Sequence, residues 1–366
     1  MKQKIGALLA ALALAVSAAA CGAPGASVTP TPVPAATPAP TPAPEQIVRP
    51  ETQPAFPATV TDAAGRQVSI ESQPETLVSG YYITTSMLIA MGQQDKLVGI
   101  EAKAASRPIY ALAAPELLEL PNVGSAKEFD LEGCAALEPD LAILPLRLKD
   151  AADTLTELGI PTITVNPEDL EQMAQTVRLL GQAIGAVEEA QALLDDNQAT
   201  QDFLEQTLAG AAAPRVYLAG NSSYLSTAGG AMYQNALIEL GGGENVAAGL
   251  TDTYWAQVSY EQLLSWDPEV ILIACDAGYT REELLGDPQL EQLSAVRSGA
   301  VYAMPSGVEA WDSPVPSALV GSRWVASVLH GDAYPFGQFQ ADAAEFYRNF
   351  YGFEIDPALL PDPLAW

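Results

Sequence analysis

A short segment occurs twice in this chain of 366 residues and limits the folds open to it. Leu131–Leu144 aligns with Tyr260–Ile273, which lies 129 residues further along. Each copy has the pattern of a short helix with an acidic residue in its first turn, a proline that ends it, and an apolar strand directly after. This order is one helix-to-strand step of an α/β unit. We therefore expect two similarly built lobes, in which Glu132 and Glu261 occupy equivalent positions.

Strand and helix patterns alternate on both sides of the repeated segments. Apolar strands are predicted at Leu77–Ser79, Leu97–Ile100, Thr162–Val165 and Arg215–Ala219. Alternation of this kind predicts a mainly parallel sheet that is covered by helices on both faces. The predicted fold class is therefore α/β, with two doubly wound lobes.

The stretch between the two lobes, Asp169–Ala209, is rich in helix formers, contains no proline and is interrupted at Gly185. Its second half repeats apolar residues at helical spacing, which predicts one long, rigid helix of about 25 residues that spans about 37 Å. The expected boundaries are 58–168 for the first lobe, 169–210 for the connecting helix region and 211–366 for the second lobe.

The N-terminus has the three regions of a secretory signal peptide, which we assign to residues 1–20. Lys2 and Lys4 precede an apolar run that is too short to be a permanent membrane span, and Cys21 follows three alanines. This end resembles a bacterial lipobox with Ala18 in place of the usual leucine, so lipidation of Cys21 is predicted, with ordinary cleavage after an Ala-x-Ala motif as the alternative. Residues 21–57 are rich in proline and form a semi-rigid spacer. The expected location is extracytoplasmic, with the protein anchored by lipid to the outer face of the cell membrane.

The charge and the scarcity of histidine exclude several functions. A formal net charge of −29 disfavours binding to nucleic acid or to anionic lipid. The single histidine, His330, leaves no pattern for a Ser-His-Asp site or a histidine-rich metal site. We therefore expect neither an enzyme nor a protein with a cofactor. Cys134 and Cys275, one in each predicted lobe, are expected to be small buried residues.

An ordered set of short motifs after residue 58 resembles the substrate-binding proteins of class III ABC importers, the family of ferrichrome-, cobalamin- and haem-binding proteins. The resemblance implies two lobes joined by a single rigid helix, with the ligand in the cleft between them. It further implies a membrane permease with its cytoplasmic ATPase as partners, and a monomer. It also implies that Glu132 and Glu261 dock into arginines of the permease, although an acidic residue in a first helical turn also suits the helix dipole. The motifs are Val60–Asp62 with Gly65 and Arg66, Leu97–Gly99, Val123–Ser125, Leu137–Leu141, Leu158–Pro161, Leu240–Gly242 and Asp267–Ile271.

Ligands of doubly wound sheets bind beyond the carboxyl ends of the strands, so the loops after the predicted strands supply the candidate contacts. Aromatic walls with a few cationic or amide groups suit a bulky ligand that carries anionic or chelating oxygens. A ferric siderophore is the first choice by family analogy, with cobalamin, haem or an oxyanion such as molybdate as alternatives. Lys103 shares its loop with Arg107. The candidate set is Tyr81, Tyr82, Lys103, Arg147, Asn221, Tyr224, Tyr254, Trp255, Trp311, Asp312 and Arg323.

A surface adhesin or structural protein on a proline-rich stalk is the alternative from another functional class. It accounts for the anchor and the spacer but not for the paired glutamates or the two-lobe pattern.

Overall fold

The computed structural model describes residues 55–251 and 255–363. The predicted signal peptide, Cys21, most of the proline-rich spacer and the candidate contact Tyr254 lie outside the described residues. Among the described residues, no helix is both long enough and apolar enough to cross a membrane.

The first lobe contains a four-stranded parallel sheet and a separate two-stranded hairpin. Its strands are an N-terminal pair, β1 (Ala58–Thr61) and β2 (Gln67–Ile70), and then β3 (Leu77–Ser79), β4 (Leu97–Ile100), β5 (Leu141–Pro145) and β6 (Thr162–Val165). The first two form an antiparallel hairpin, and the other four are parallel in the order β4-β3-β5-β6. All residues of β3, β5 and β6 are buried, as expected of strands that are covered on both faces. The helices are α1 (Tyr82–Ala90), α2 (Pro108–Ala113), α3 (Leu131–Ala136) and α4 (Lys149–Glu157).

The second lobe repeats this topology. Its strands are β7 (Arg215–Ala219), β8 (Ser226–Ala228), β9 (Glu244–Asn245), β10 (Trp255–Gln257), β11 (Val270–Ile273) and β12 (Val301–Ala303). Four of them form a parallel sheet in the order β9-β7-β11-β12, which matches the first lobe strand for strand, and β8 pairs with β10 as a separate hairpin. Its helices are α7 (Tyr233–Leu240), α8 (Tyr260–Trp266), α9 (Arg281–Leu285), α10 (Ser294–Ser298), α11 (Ala318–Leu329) and α12 (Phe336–Tyr351).

Two helices, and not one, connect the sheets. They are α5 (Leu170–Ile184) and α6 (Val187–Thr207), separated at Gly185, whose φ of 73° is in the left-handed region that favours glycine. The predicted long helix is α6, which has 21 residues and spans about 31 Å. It is shorter than expected because it begins only at Val187 and ends at Thr207. Helix α5 lies against β1 of the first lobe.

The repeated segments adopt the same conformation in detail. Helices α3 and α8 begin at equivalent residues, and so do the strands β5 and β11 that follow them. Glu138 and Asp267, which precede the two prolines, both have positive φ, 48° and 41°. The repeat therefore marks a true structural equivalence.

One cluster of buried apolar side chains spans both lobes, and each lobe has a smaller cluster of its own. The shared cluster includes Met87 of α1 and Tyr347 of α12, so helices of the second half of the chain pack directly against the first lobe. Cys134 and Cys275 are both buried and unpaired, as predicted.

Candidate ligand-binding cleft

Two tyrosines stand at the carboxyl end of β3, where α1 begins. Tyr81 has an extended backbone and precedes the first helical residue, Tyr82. Their rings meet edge to face with centroids 5.3 Å apart, and both side chains are half-buried. Gly80 allows the chain to pass close to β5, because a Cβ atom there would lie 2.6 Å from Leu144 Cδ2. The local turn therefore presents an aromatic surface at the edge of the sheet where ligands of this architecture bind.

Arg107 lies over the face of Tyr82, with its guanidinium carbon 3.8 Å from the ring centroid. Its Nε is 3.5 Å from Glu101 Oε1, but no atom of the described residues accepts a hydrogen bond from this buried nitrogen. Glu101 is itself buried and accepts hydrogen bonds of 2.7 Å from Thr85 Oγ1 and from the Tyr110 hydroxyl. Burial raises the pKa of Glu101, while these two donors and Arg107 oppose that shift. Arg107 is thus held in place with hydrogen-bonding capacity to spare.

Two further cations lie on the same side. Arg147 is exposed in the short turn after β5, and Lys103 is exposed with a left-handed backbone, φ 69°. Burial, together with Tyr82 and Glu168, raises the pKa of Tyr81, whereas Arg147 and Arg107 act to lower it. The first lobe forms a wall of the cleft that is aromatic and cationic.

The second lobe forms an opposite wall with acidic and hydroxyl groups. One cavity is lined by Tyr82, Ser106 and Arg107 on one side and by Asp276, Ser306 and Glu309 on the other. The Tyr82 hydroxyl donates a hydrogen bond of 3.2 Å to Ser313 Oγ across the cleft. The two walls therefore touch at this point, and the cavity lies beside the contact.

Asp312 was predicted to contact the ligand, but the structure places it beneath the cleft wall. It is only 6% exposed, and its carboxylate accepts a hydrogen bond of 2.9 Å from the backbone N–H of Cys275 at the end of β11. Burial raises the pKa of Asp312 to about 6, against the effect of that hydrogen bond. Its carboxylate orders the chain next to Asp276 and Ser313 without facing the cavity.

Trp255 and Asn221 lie at the carboxyl end of β7. Trp255 is half-buried against Gly220, where a Cβ atom would come within 2.8 Å of the indole ring. Asn221 is exposed, and its carbonyl oxygen accepts a hydrogen bond of 2.8 Å from Gly278 N–H. The position of both residues is the one expected of ligand contacts in the second lobe, and their role remains a prediction.

Trp311 requires a correction, because the candidate set placed it in the cleft. The side chain is fully buried, and its indole N–H donates a hydrogen bond of 2.8 Å to the Tyr347 hydroxyl. Trp311 belongs to the core between α11 and α12 and offers no surface to a ligand in this structure.

Arg323 also lies elsewhere. Its guanidinium pairs with Asp342 at 2.5 Å, stacks on Phe203 and donates a hydrogen bond of 3.0 Å to Thr200. These residues line a separate cavity of about 280 Å³ between α6, α11 and α12, which shares no lining residue with the cavity beside Tyr82. The pairing partner of Arg323 lies 19 residues away in sequence, on α12.

Tyr224 also lies away from that cavity. Its hydroxyl donates a hydrogen bond of 2.7 Å to Asp287, which also accepts one of 2.9 Å from Tyr260. Tyr260 is the first residue of α8, so Tyr224 stands beside the repeated helix and not beside Tyr82.

The two glutamates of the repeat are exposed and occupy equivalent places. Glu132 follows the N-cap Asp130 on α3, and Glu261 follows the N-cap Ser259 on α8 by the same two residues. Hydrogen bonds from its own backbone and from Ser259 lower the pKa of Glu261, so it is charged at neutral pH. Docking of these residues onto a permease stays a prediction.

Five of the six cavity residues named above are absent from the candidate set: Ser106, Arg107, Asp276, Ser306 and Glu309. Arg107 shares its loop with the candidate Lys103. Asp276 and Ser306 follow β11 and β12 by a few residues, so the strand-end rule that found Tyr81 would have found them as well. Among the described residues, no group of three or more histidine, cysteine or acidic side chains is arranged to hold a metal ion.

Comparison with known proteins gives one consistent result. The family model described as periplasmic binding protein matches residues 77–308. The molybdate-binding protein MolA of Haemophilus influenzae is 23% identical over 325 residues, covering 81% of this chain and 92% of the relative. A cobalamin-binding protein of Halobacterium salinarum is 28% identical over 289 residues, covering 75% of each chain. The crystal structure of a periplasmic solute binding protein from Veillonella parvula superposes with a TM-score of 0.72 at 25% identity, covering 83% of this chain and 95% of that one. These relatives are solute-binding proteins.

Proposed function

The chain belongs to the periplasmic binding protein family, as a substrate-binding component of an ABC importer that works outside the cytoplasm, and from this premise we propose that it captures an anionic, metal-containing ligand in the cleft described above. It carries out no chemistry on the ligand, which it delivers to the membrane permease.

The observation that carries the proposal is the arrangement of Arg107. Arg107 lines the cavity with a side chain that is 29% exposed, and its guanidinium can donate charge-assisted hydrogen bonds of roughly 1.5–3 kcal/mol to an oxygen of the ligand. The stacking of Arg107 on Tyr82 fixes the direction in which its donors point. Lys103 and Arg147 add positive charge beside it, on a chain whose net charge is −29. A local cationic surface on so acidic a protein favours an anionic solute.

A ferric siderophore is the ligand that we put first, because the aromatic and cationic wall suits an apolar body that carries chelating oxygens. Molybdate and cobalamin are alternative ligands, because relatives are named for binding them, and haem is the remaining alternative. A compact oxyanion would engage only the cations and hydroxyls, whereas a siderophore or a macrocycle would also cover Tyr81 and Trp255.

The attachment and the partner complete the proposal. The signal peptide would direct export, and lipid on Cys21 would hold the protein, as a monomer, at the membrane surface. The proline-rich spacer would set the distance between the folded part and the membrane. Glu132 and Glu261 would then meet arginines of the permease, one glutamate from each lobe.

The test is a titration of the purified full-length chain with ferric siderophores, cobalamin, haem and molybdate, monitored by calorimetry and by tryptophan fluorescence. We expect saturable binding of one ligand, loss of that binding in Arg107→Ala, and no change in Arg178→Ala, a matched control at an exposed position of α5. An unchanged affinity in Arg107→Ala, with the protein folded by circular dichroism, would contradict the assignment of the site. Loss of binding in Arg323→Ala alone would move the site to the cavity between α6, α11 and α12.

A further inference from the structure

Glu309 is a buried carboxyl group with partners from both lobes. It lies in the segment after β12, is 6% exposed and forms part of the cavity beside Tyr82. Its carboxylate accepts hydrogen bonds from Ser317 Oγ and Ser86 Oγ, and one of 3.1 Å from the Tyr351 hydroxyl. Ser86 belongs to α1 of the first lobe, and the other two donors belong to the second half of the chain. No basic side chain forms an ion pair with Glu309 within the described ranges.

The contact with Ser86 is one of two on the same face of α1. Ser86 is four residues after Tyr82, so both point to the same side of the helix. Tyr82 bonds to Ser313 at the cleft, and Ser86 bonds to Glu309 one turn deeper. The Tyr351 hydroxyl, 2.9 Å from Ser86 Oγ, adds a connection to α12. Helix α1, which begins with the cleft tyrosines, is therefore attached to the second lobe at two levels.

The energetics make the deeper contact the stronger constraint. A buried carboxyl group costs several kcal/mol unless its oxygens are satisfied, and here three hydroxyl groups satisfy them. Moving α1 away from the second lobe would remove the Ser86 donor and expose Glu309 to the cavity. The Tyr82–Ser313 bond is partly exposed, so water replaces it at little cost.

We propose that Glu309 is a positioning residue that fastens α1, and with it Tyr81 and Tyr82, to the second lobe and so sets the width of the cleft before any ligand arrives. The effect on affinity rests on the proposed function, but the effect on geometry does not. If the fastening fails and about a tenth of the molecules keep the competent arrangement, the apparent Kd of the ligand rises about tenfold.

The test measures the separation of the lobes without a ligand. Ala136 and Ser265 are equivalent, exposed positions on α3 and α8, and each is replaced by cysteine for spin labelling in the full chain carrying Cys21→Ser. Cys134 and Cys275 are buried, and a protein without the new cysteines measures their background. Pulsed electron paramagnetic resonance then gives the distance distribution. We expect Glu309→Ala and Ser86→Ala to broaden the distribution towards longer distances.

Two matched variants separate positioning from simple packing. Glu309→Gln keeps the shape and an acceptor oxygen and should restore the narrow distribution. Ser317→Ala removes a donor that lies within the second lobe and should leave the distribution narrow. An unchanged distribution in Ser86→Ala would overturn the proposal, and so would equal broadening in Ser317→Ala. If Glu309→Ala does not fold, the comparison of Ser86→Ala with Ser317→Ala decides. Failure of every ligand titration would leave this distance result intact, so the two proposals fail separately.

Discussion

The two walls of the cleft differ far more than the two sheets behind them. The sheets share one strand order and one turn geometry, down to the positive φ of Glu138 and Asp267. The walls share almost nothing: one carries Tyr82, Arg107 and Arg147, and the other carries Asp276 with serines. The difference teaches that the repeated framework sets where a ligand can lie, while the unrepeated loops decide its charge. The equivalent glutamates belong to the repeated framework, and the residues of the two walls belong to the loops. Mutations of the glutamates should therefore affect uptake, whereas mutations of the walls should affect ligand affinity.

The largest effect is expected at the framework positions. The double variant Glu132→Gln and Glu261→Gln removes the two exposed charges and should reduce uptake into cells to less than about a tenth, because charge-assisted contacts set docking register. Ligand affinity of the purified protein should not change. Uptake assays and calorimetry on the same variant check both halves, with Glu138→Gln and Glu269→Gln as an exposed control pair. Full uptake in the double variant would remove the glutamates from the docking surface.

The second prediction concerns a buried ion pair in the first lobe, between Asp62 and Arg66. Asp62 has a fully buried carboxylate that pairs with Arg66 at 2.6 Å and accepts a hydrogen bond of 2.7 Å from Thr164 Oγ1, which joins the N-terminal hairpin to β6. Asp62→Asn should lower the free energy of unfolding at pH 7 by about 3 kcal/mol, since it leaves Arg66 short of its partner.

The stability that this ion pair contributes depends on pH, and the sign of that dependence follows from the pKa of Asp62. Burial acts to raise the pKa of Asp62, but the hydrogen bonds from Arg66 and Thr164 outweigh it, so the folded pKa is below the usual value. The stability from Asp62 is therefore present above the unfolded pKa of about 3.9 and is lost as the pH falls through the folded pKa. Urea unfolding from pH 7 to pH 3 should show a steeper loss in the native protein than in Asp62→Asn. If the stabilities of the two proteins fall in parallel with pH, protonation of Asp62 contributes nothing to the loss of stability in acid.

The third prediction compares the two walls directly. Arg107→Ala should weaken the binding of an anionic ligand about 30-fold, which corresponds to about 2 kcal/mol for a charge-assisted hydrogen bond. Asp276→Ala should change the affinity less than about threefold, and in the direction of tighter binding, because it removes a like charge from the opposite wall. Calorimetry on both variants gives the ratio. Equal losses would show that both walls hold the ligand and that its charge is mixed.

The last prediction concerns two matched glycines. Gly80 follows β3 and Gly220 follows β7, but Gly80 faces the fully buried Leu144 and Gly220 faces the half-buried Trp255. Gly80→Ala should lower stability by about 1–3 kcal/mol, since Leu144 has no free space. Gly220→Ala should lower it by a similar amount, because the new Cβ atom would lie 2.8 Å from the indole and 3.0 Å from the Ser226 carbonyl oxygen. Any movement of the indole should shift the tryptophan emission. Thermal unfolding and fluorescence spectra check the pair.

The framework could be predicted from the sequence because its signals are local. Apolar runs placed β3, β4, β6 and β7 within their observed bounds, and the repeat placed α8 and β11 by analogy with α3 and β5. Helix α1 begins at Tyr82, whereas the sequence pattern predicts a helix only from about Thr85 to Met91.

The cleft was harder to predict, because a position after a strand does not tell which way a side chain points. Trp311 points into the core and donates a hydrogen bond to Tyr347, and Arg323 forms an ion pair with Asp342. Asp342 lies on α12, a helix that the sequence analysis does not predict. Glu309 carries no sequence signal, since its partners come from three separate segments of the chain. Long-range polar contacts of this kind follow from tertiary packing, which a periodic pattern does not encode.

The left-handed residues before the two prolines have a consequence for how this protein can diverge. Glu138 and Asp267 each hold a conformation that is unfavourable by about 1–2 kcal/mol for an L-amino acid, and the proline that follows disfavours a helical alternative. Each short helix is therefore stopped at a fixed distance from its strand. Insertions in the loops that form the cleft leave this distance unchanged, and so leave Glu132 and Glu261 at the same height above their sheets. Ligand specificity can thus drift through loop evolution while the outer face of the molecule stays constant.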